Sequence, residues 1–130
     1  MPRRRQDRLD PERFATLVTE AIDRIPEQFA RYLENVTVLI EDDPTPEQLD
    51  SVGLDPRRDT LFGLYEGIAL PERPHDFHGH PPDRITIFRR PILDACRSER
   101  EVRREIEVTV VHEIAHFFGI DERRVRQLGY

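Results

Sequence analysis

One long helix close to the end of this 130-residue chain constrains its fold more than any other feature. Ser98 is a good N-cap, and Glu101 three positions later completes the pattern of a capping box. Val102, Ile106, Val110, Ile114 and Phe117 then recur at three-to-four spacing, which predicts a buried stripe. Gly119 ends the run as a left-handed C-cap. A helix of that length reaches across roughly 30 Å, about the width of a small domain. The remaining chain is long enough for one core around it and not comfortably for two.

The other elements read as follows. Asp10 caps a helix over 11–25, with Pro11 in its first turn and Phe14, Leu17, Val18, Ala21, Ile22 and Ile25 on its apolar face. Pro26 interrupts it, and 27–34 predicts a second helical stretch with Phe29, Tyr32 and Leu33 inward. Residues 36–40 are β-branched and apolar, a strand. Residues 41–59 are rich in proline and acid, a loop with one helical turn near 47–51. A second strand is expected over 61–66, and a third, with one wet face, over 84–89 where polar and apolar residues alternate. A short helix starts at Pro91, and Asp121 caps a last one whose Val125 and Leu128 pack back. The fold class expected is α+β, a small three-stranded sheet packed on helices.

Composition narrows the function classes. Charged residues make up 35% and hydrophobic ones 37%, but the hydrophobic ones fall in periodic blocks, which argues for a folded chain. The net charge of −6 gives no reason to expect a nucleic acid or an anionic membrane as partner. Arg3, Arg4 and Arg5 read as part of a solvated, flexible tail over 1–9, leaving 10–130 as a single domain. Cys96 is the one cysteine and sits among apolar neighbours, a buried structural thiol. No apolar run approaches the roughly 18 residues of a membrane span, and no apolar segment follows the N-terminal arginines as in a signal peptide. A cytoplasmic location is the expectation.

The chemistry lies in His112-Glu113-Ile114-Ala115-His116 on the long helix. Residues four apart share a helix face, so the two imidazoles can reach one Zn²⁺ at roughly 2.0–2.1 Å. Glu113 is offset by about 100° (one residue of helical turn), which suits a base acting on metal-bound water better than a ligand. The plain alternative is a pair of partly buried histidines. Apolar flanks at Val108, Val110, Val111, Ile114, Phe117 and Phe118 favour the metal reading, because they predict a dry setting. A catalytic zinc takes a third protein ligand. Glu122, just past the reversal at Gly119, is the natural oxygen donor, and Asp121 is its competitor although better placed as a cap. The loop histidines His75, His78 and His80 form another cluster, most simply read as solvated.

The run from His112 to Glu122 resembles the HExxHxxGxx(D/E) signature of the minimal zincin-like metallopeptidases, small bacterial proteins once classed as a domain of unknown function. Leu64-Tyr65-Glu66-Gly67, the stretch from Pro82 to Phe88, Pro91-Ile92-Leu93 and Leu128-Gly129-Tyr130 also look like that family, so the likeness spans roughly residues 12–130. It implies a compact minimal zincin-like fold and one zinc per chain held by His112, His116 and the acidic residue ten after the first histidine, here Glu122. Aspartate is expected at that place more often. Metzincins need a downstream methionine turn, and Met1 is the only methionine. The repressor-cutting peptidases with a related motif take their third ligand much further on, and only 14 residues follow His116.

The expected function is a zinc metallopeptidase, a hydrolase of a peptide or protein substrate with Glu113 as general base. The residues assign no second electrophile: Tyr65 or Tyr130 could serve by chemistry, but a tyrosine is more often packing or hydrogen-bond structure. The rival is a metal-stabilised protein-binding module with weak or no turnover, because so small a domain lacks the second lobe that walls a cleft.

Overall fold

A computed structural model describes residues 9–67 and 83–130. Helix α1 (Pro11–Asp23) begins as expected: the Asp10 carboxylate accepts the Arg13 N–H at 2.7 Å. Helix α2 (Glu27–Ala30) tightens into a 3-10 turn at Arg31–Leu33, which leads into strand β1 (Val36–Glu41). Helix α3 (Pro46–Ser51) carries a full reciprocal capping box between Thr45 and Gln48. Strand β2 (Gly63–Glu66) is shorter than the expected 61–66, and strand β3 (Asp83–Phe88) lies one residue earlier than its expected span. Helix α4 (Arg89–Ala95) starts two residues before Pro91, which the first helical turn tolerates because its N–H groups have no intrahelical partner. Helix α5 (Glu99–Phe118) runs from Ser98, whose Oγ accepts the Glu101 N–H, to Gly119 at φ +70°. Helix α6 (Glu122–Gln127) follows, capped by the Asp121 carboxylate on the Arg123 N–H at 2.8 Å.

The three strands form one mixed sheet in the order β1-β3-β2, with β1 parallel and β2 antiparallel to the central β3. The fold is α+β, with six helices among the described residues. Val38, Ile85 and Tyr65 stand in register across the sheet. On that face Ile85 and Ile87 join Phe14, Leu17, Val18 and Ala21 of α1 and Val102, Ile106, Val110 and Ile114 of α5 in one core. Each such side chain removed from water contributes about 1.5–3 kcal/mol.

Three expectations need correction. The third strand has no wet face beyond Arg84: Thr86 is 1% exposed and Phe88 fully buried. A central strand has neighbours on both edges, and Leu64, which pairs with Thr86, is buried on the same face. Alternation along one strand carries no information about its place in the sheet. Secondly, Phe117 does not continue the buried stripe of α5; it is 47% exposed, because the last turn runs past the core. Glu107, Val111 and Ala115 are buried instead on the flank of that stripe. Thirdly, Leu9, at the end of the expected tail, is buried in the core cluster; residues 1–8 lie outside the described residues. Cys96 is buried, as its neighbours imply. No helix among the described residues is long and apolar enough to cross a membrane.

Candidate active site

The C-terminal half of α5 passes against β2, the edge strand. A Cβ on Gly63 would lie 2.7 Å from the Thr109 methyl and 3.2 Å from the Thr86 carbonyl oxygen. Only glycine lets helix and strand approach this closely. One turn further along, the edge strand meets the motif. An edge strand has main-chain groups that no neighbouring strand takes, and the Tyr65 N–H donates to Glu113 Oε1 at 2.8 Å. The helix carboxylate is thereby pinned by the backbone of the strand above it.

Glu113 and His116 line one cavity of about 400 Å³, together with Gly63, Leu64 and Tyr65 of β2, Phe117, and Val52, Leu54 and Leu61 from the β1–β2 connection. Its walls are aliphatic and aromatic apart from the two motif side chains. Burial among them raises the Glu113 pKa; the Tyr65 N–H and then His116 and His112 pull it down without cancelling the rise. A carboxylate so placed is a stronger base than a solvated one.

The dry setting expected for both histidines holds only in part. His116 is exposed at the cavity, and His112 is half-buried. The ring of His112 is engaged from another direction: its Nε2 lies 2.6 Å from the main-chain oxygen of Tyr130. Phe117 covers the cavity end by stacking on Tyr65, with centroids 4.0 Å apart, and Phe118 packs against Tyr32 at 4.6 Å. The Tyr65 hydroxyl donates to Asp83 at 2.8 Å, and burial followed by this bond drives its pKa well above the ordinary tyrosine value. The Tyr130 hydroxyl donates to Glu107 Oε1 at 2.5 Å. Both phenols weighed as electrophiles are thus engaged elsewhere.

Among the described residues no three of His, Cys, Asp and Glu stand together as a preformed metal cluster. Glu122 is exposed in the first turn of α6, and Asp121 is occupied as its cap. His75, His78 and His80 lie outside the described residues. The donor chemistry of the motif nonetheless fits zinc, with two imidazoles one helical turn apart and carboxylates close in sequence. Sequence reasoning missed Glu107. Its signal was an acidic residue five positions before His112, next to the apolar stripe.

A sequence profile of the zincin-like metallopeptidases matches residues 33–130. Among solved structures, a conserved hypothetical protein from Thermus thermophilus is similar, with 26% identity, a TM-score of 0.52, and 85% of this chain and 94% of that chain covered. A comparison with curated proteins gives no match.

Proposed function

Because the chain belongs to the zincin-like metallopeptidase family, we propose that it hydrolyses peptide bonds, with one zinc ion held by His112, His116 and Glu122 and with Glu113 as general base. The observation that supports this reading best is the seat of Glu113. Its carboxylate is held by the Tyr65 N–H at the wall of an apolar cavity that it shares with His116.

Zinc, when bound, supplies a Lewis acid that makes water a nucleophile near neutral pH. The chain's own residues do the rest. The apolar walls, Leu54, Leu61 and Leu64 among them, take up a substrate side chain and exclude bulk water from the reacting carbonyl. Glu113 removes a proton from the attacking water as its oxygen bonds to the carbonyl carbon. It then delivers that proton to the amide nitrogen as the C–N bond breaks. The Tyr65 N–H fixes one carboxylate oxygen and leaves the other free for this transfer. Glu122, exposed in the first turn of α6, would supply the third, oxygen ligand with a side chain one methylene longer than aspartate.

Elemental mass spectrometry of the gently purified protein, beside His116→Ala, tests the metal. One zinc per chain, lost in the variant, is expected. A peptide-cleavage screen with Glu113→Gln tests the chemistry: cleavage should fall at least a hundredfold while zinc content stays. No cleavage by the wild type, with zinc still bound and Glu113→Gln indistinguishable from it, would transfer the assignment to a metal-stabilised binding module.

A further inference from the structure

Val52 and Phe117 are the most exposed large apolar side chains among the described residues, at 45% and 47%, and both line the cavity beside Glu113. Apolar surface left in water at the mouth of a cavity is what an apolar ligand covers. Phe117 is exposed and yet held. One face of its ring stacks on Tyr65, with 4.0 Å between centroids and 26° between planes. Its tip abuts the backbone at Gly67, just past β2: a Cβ there would lie 2.7 Å from Phe117 Cε2 and closer still to Cζ. Phe118 stands at its side. Its plane crosses those of Phe117 and Tyr65 at 77° and 83°, with centroids 5.1 and 5.7 Å away. A ring on the outer face of Phe117 would stand much further from Tyr65 than that, so Phe118 flanks the stack and does not cap it. Tyr65 is fixed in turn, by its hydroxyl on Asp83 and its N–H on Glu113.

A flat face held in this way is ready for a second ring without reorganisation. An aliphatic side chain laid on it gains buried area alone. An aromatic one gains in addition from offset stacking. Val52, Leu54, Leu61 and Leu64 complete an apolar surround, and a cavity of about 400 Å³ has room for a ring. A cation also has affinity for an aromatic face. Among the lining residues, however, the only acid is Glu113, which already accepts the Tyr65 N–H. A guanidinium would lose water there and find no unengaged carboxylate in return. The surroundings therefore favour an uncharged ring.

We propose that Phe117 is a specificity-determining residue: its outer face is a stacking platform for an aromatic side chain of a bound peptide, held in place by Tyr65 and by the missing side chain of Gly67. The substrate class is peptides with Phe, Tyr or Trp close to the bond that meets Glu113. Tyr65 holds both the platform and Glu113, so docking of the ring brings the neighbouring carbonyl to the base. This last consequence rests on the metallopeptidase reading; the capture of the ring does not.

The probes are blocked hexapeptides of alanine and serine with one central Phe, Leu or Arg, added to the zinc-treated protein. Binding is followed by the ¹H–¹³C signals of the protein's aromatic rings, and cleavage by mass spectrometry. The Phe peptide should move the Phe117 signals and bind about two- to tenfold tighter than the Leu peptide, the worth of one aromatic pair beyond its area. Phe117→Leu keeps an apolar wall without the flat face and should erase that ratio, whereas Phe117→Tyr should retain it. Gly67→Ala pushes the ring from its seat and should lower the ratio too. A general loss of structure would weaken both peptides alike, so the ratio reads the platform itself. A Phe-over-Leu ratio that survives Phe117→Leu overturns the proposal, as does binding of none of the peptides. A preference for the Arg peptide also overturns it and would make the ring a seat for a cation. Cleavage of all peptides with no preference for Phe removes the platform and leaves the metallopeptidase reading standing. The expected binding pattern with no cleavage of any peptide does the reverse.

Discussion

At Tyr130 and Glu107 the stakes of a single hydrogen bond are high. Glu107 is almost wholly buried, and its partners are the Tyr130 hydroxyl at 2.5 Å and Arg104 at 3.5 Å. Tyr130→Phe leaves a buried carboxylate short of a donor, so stability in urea should fall by about 1–3 kcal/mol, the cost of an unsatisfied polar group. Gly63 makes the opposite demand, for emptiness. Gly63→Ala places a methyl 2.7 Å from the Thr109 side chain and 3.2 Å from a backbone oxygen that cannot yield. A loss of about 1–3 kcal/mol is expected, as for overpacked cores. Thr109→Ala in the same protein should restore part of it, which a double-mutant cycle by urea denaturation reads directly. Full loss with no rescue would locate the strain at the Thr86 oxygen.

Among the elements, α5 carries most of the fold's definition, and both of its ends can be tested. Gly119 sits at φ +70°, ψ 32° with nothing within 4 Å of where a Cβ would go. Gly119→Ala should therefore cost only the left-handed penalty, about 1–2 kcal/mol, measured as a drop in Tm. At the other end the Arg13 guanidinium on α1 and the Glu99 carboxylate on α5 are paired at 2.6 Å. The hydrogen bond from Arg13 is the main cause that holds the Glu99 pKa below its ordinary value. A carboxyl lowered by folding contributes stability that is complete above its unfolded-state pKa, about 4.3. That contribution is lost as the pH falls through the lower folded-state value. Unfolding of Glu99→Gln between neutral pH and about pH 3 should thus show a flatter acid limb than wild type. The pair is solvent-exposed, so the difference should shrink in high salt.

For the whole molecule, the meeting of α1, α5 and the sheet is the test of integrity. Ile106 is fully buried there, in one core with Phe14, Leu17 and Ile85. Ile106→Ala should cost about 2–5 kcal/mol in urea unfolding, a large part of what a domain of this size has to lose. The cavity beside Glu113 depends on three separate parts of the chain: the β1–β2 connection, the edge strand and the last turns of α5. Leu61→Asp alters the connection alone. It should reduce cleavage of peptides with a bulky apolar residue at least tenfold while leaving zinc content unchanged, because no metal-binding residue is touched.

The sequence by itself determined α5, its two caps, and the helical spacing of His112, Glu113 and His116. It also determined the three short strands and the membership of most of the core. Each of these is written in neighbours within four residues, where capping, helical period and β-branching act. The tertiary structure alone decided what those elements meet. Thr86 is dry because β3 is central, and Phe117 is wet because α5 outruns the core, and neither fact has a local signature. The Tyr65 N–H reaches Glu113 across 48 positions of sequence, and the Tyr130 oxygen reaches His112 across 18. Both contacts are made by main-chain atoms, which every residue possesses, so no side-chain pattern could have announced them. Glu107 was visible as an odd acidic residue in the right helix. That it accepts from the Tyr130 hydroxyl follows only from the way the chain after α6 folds back on α5.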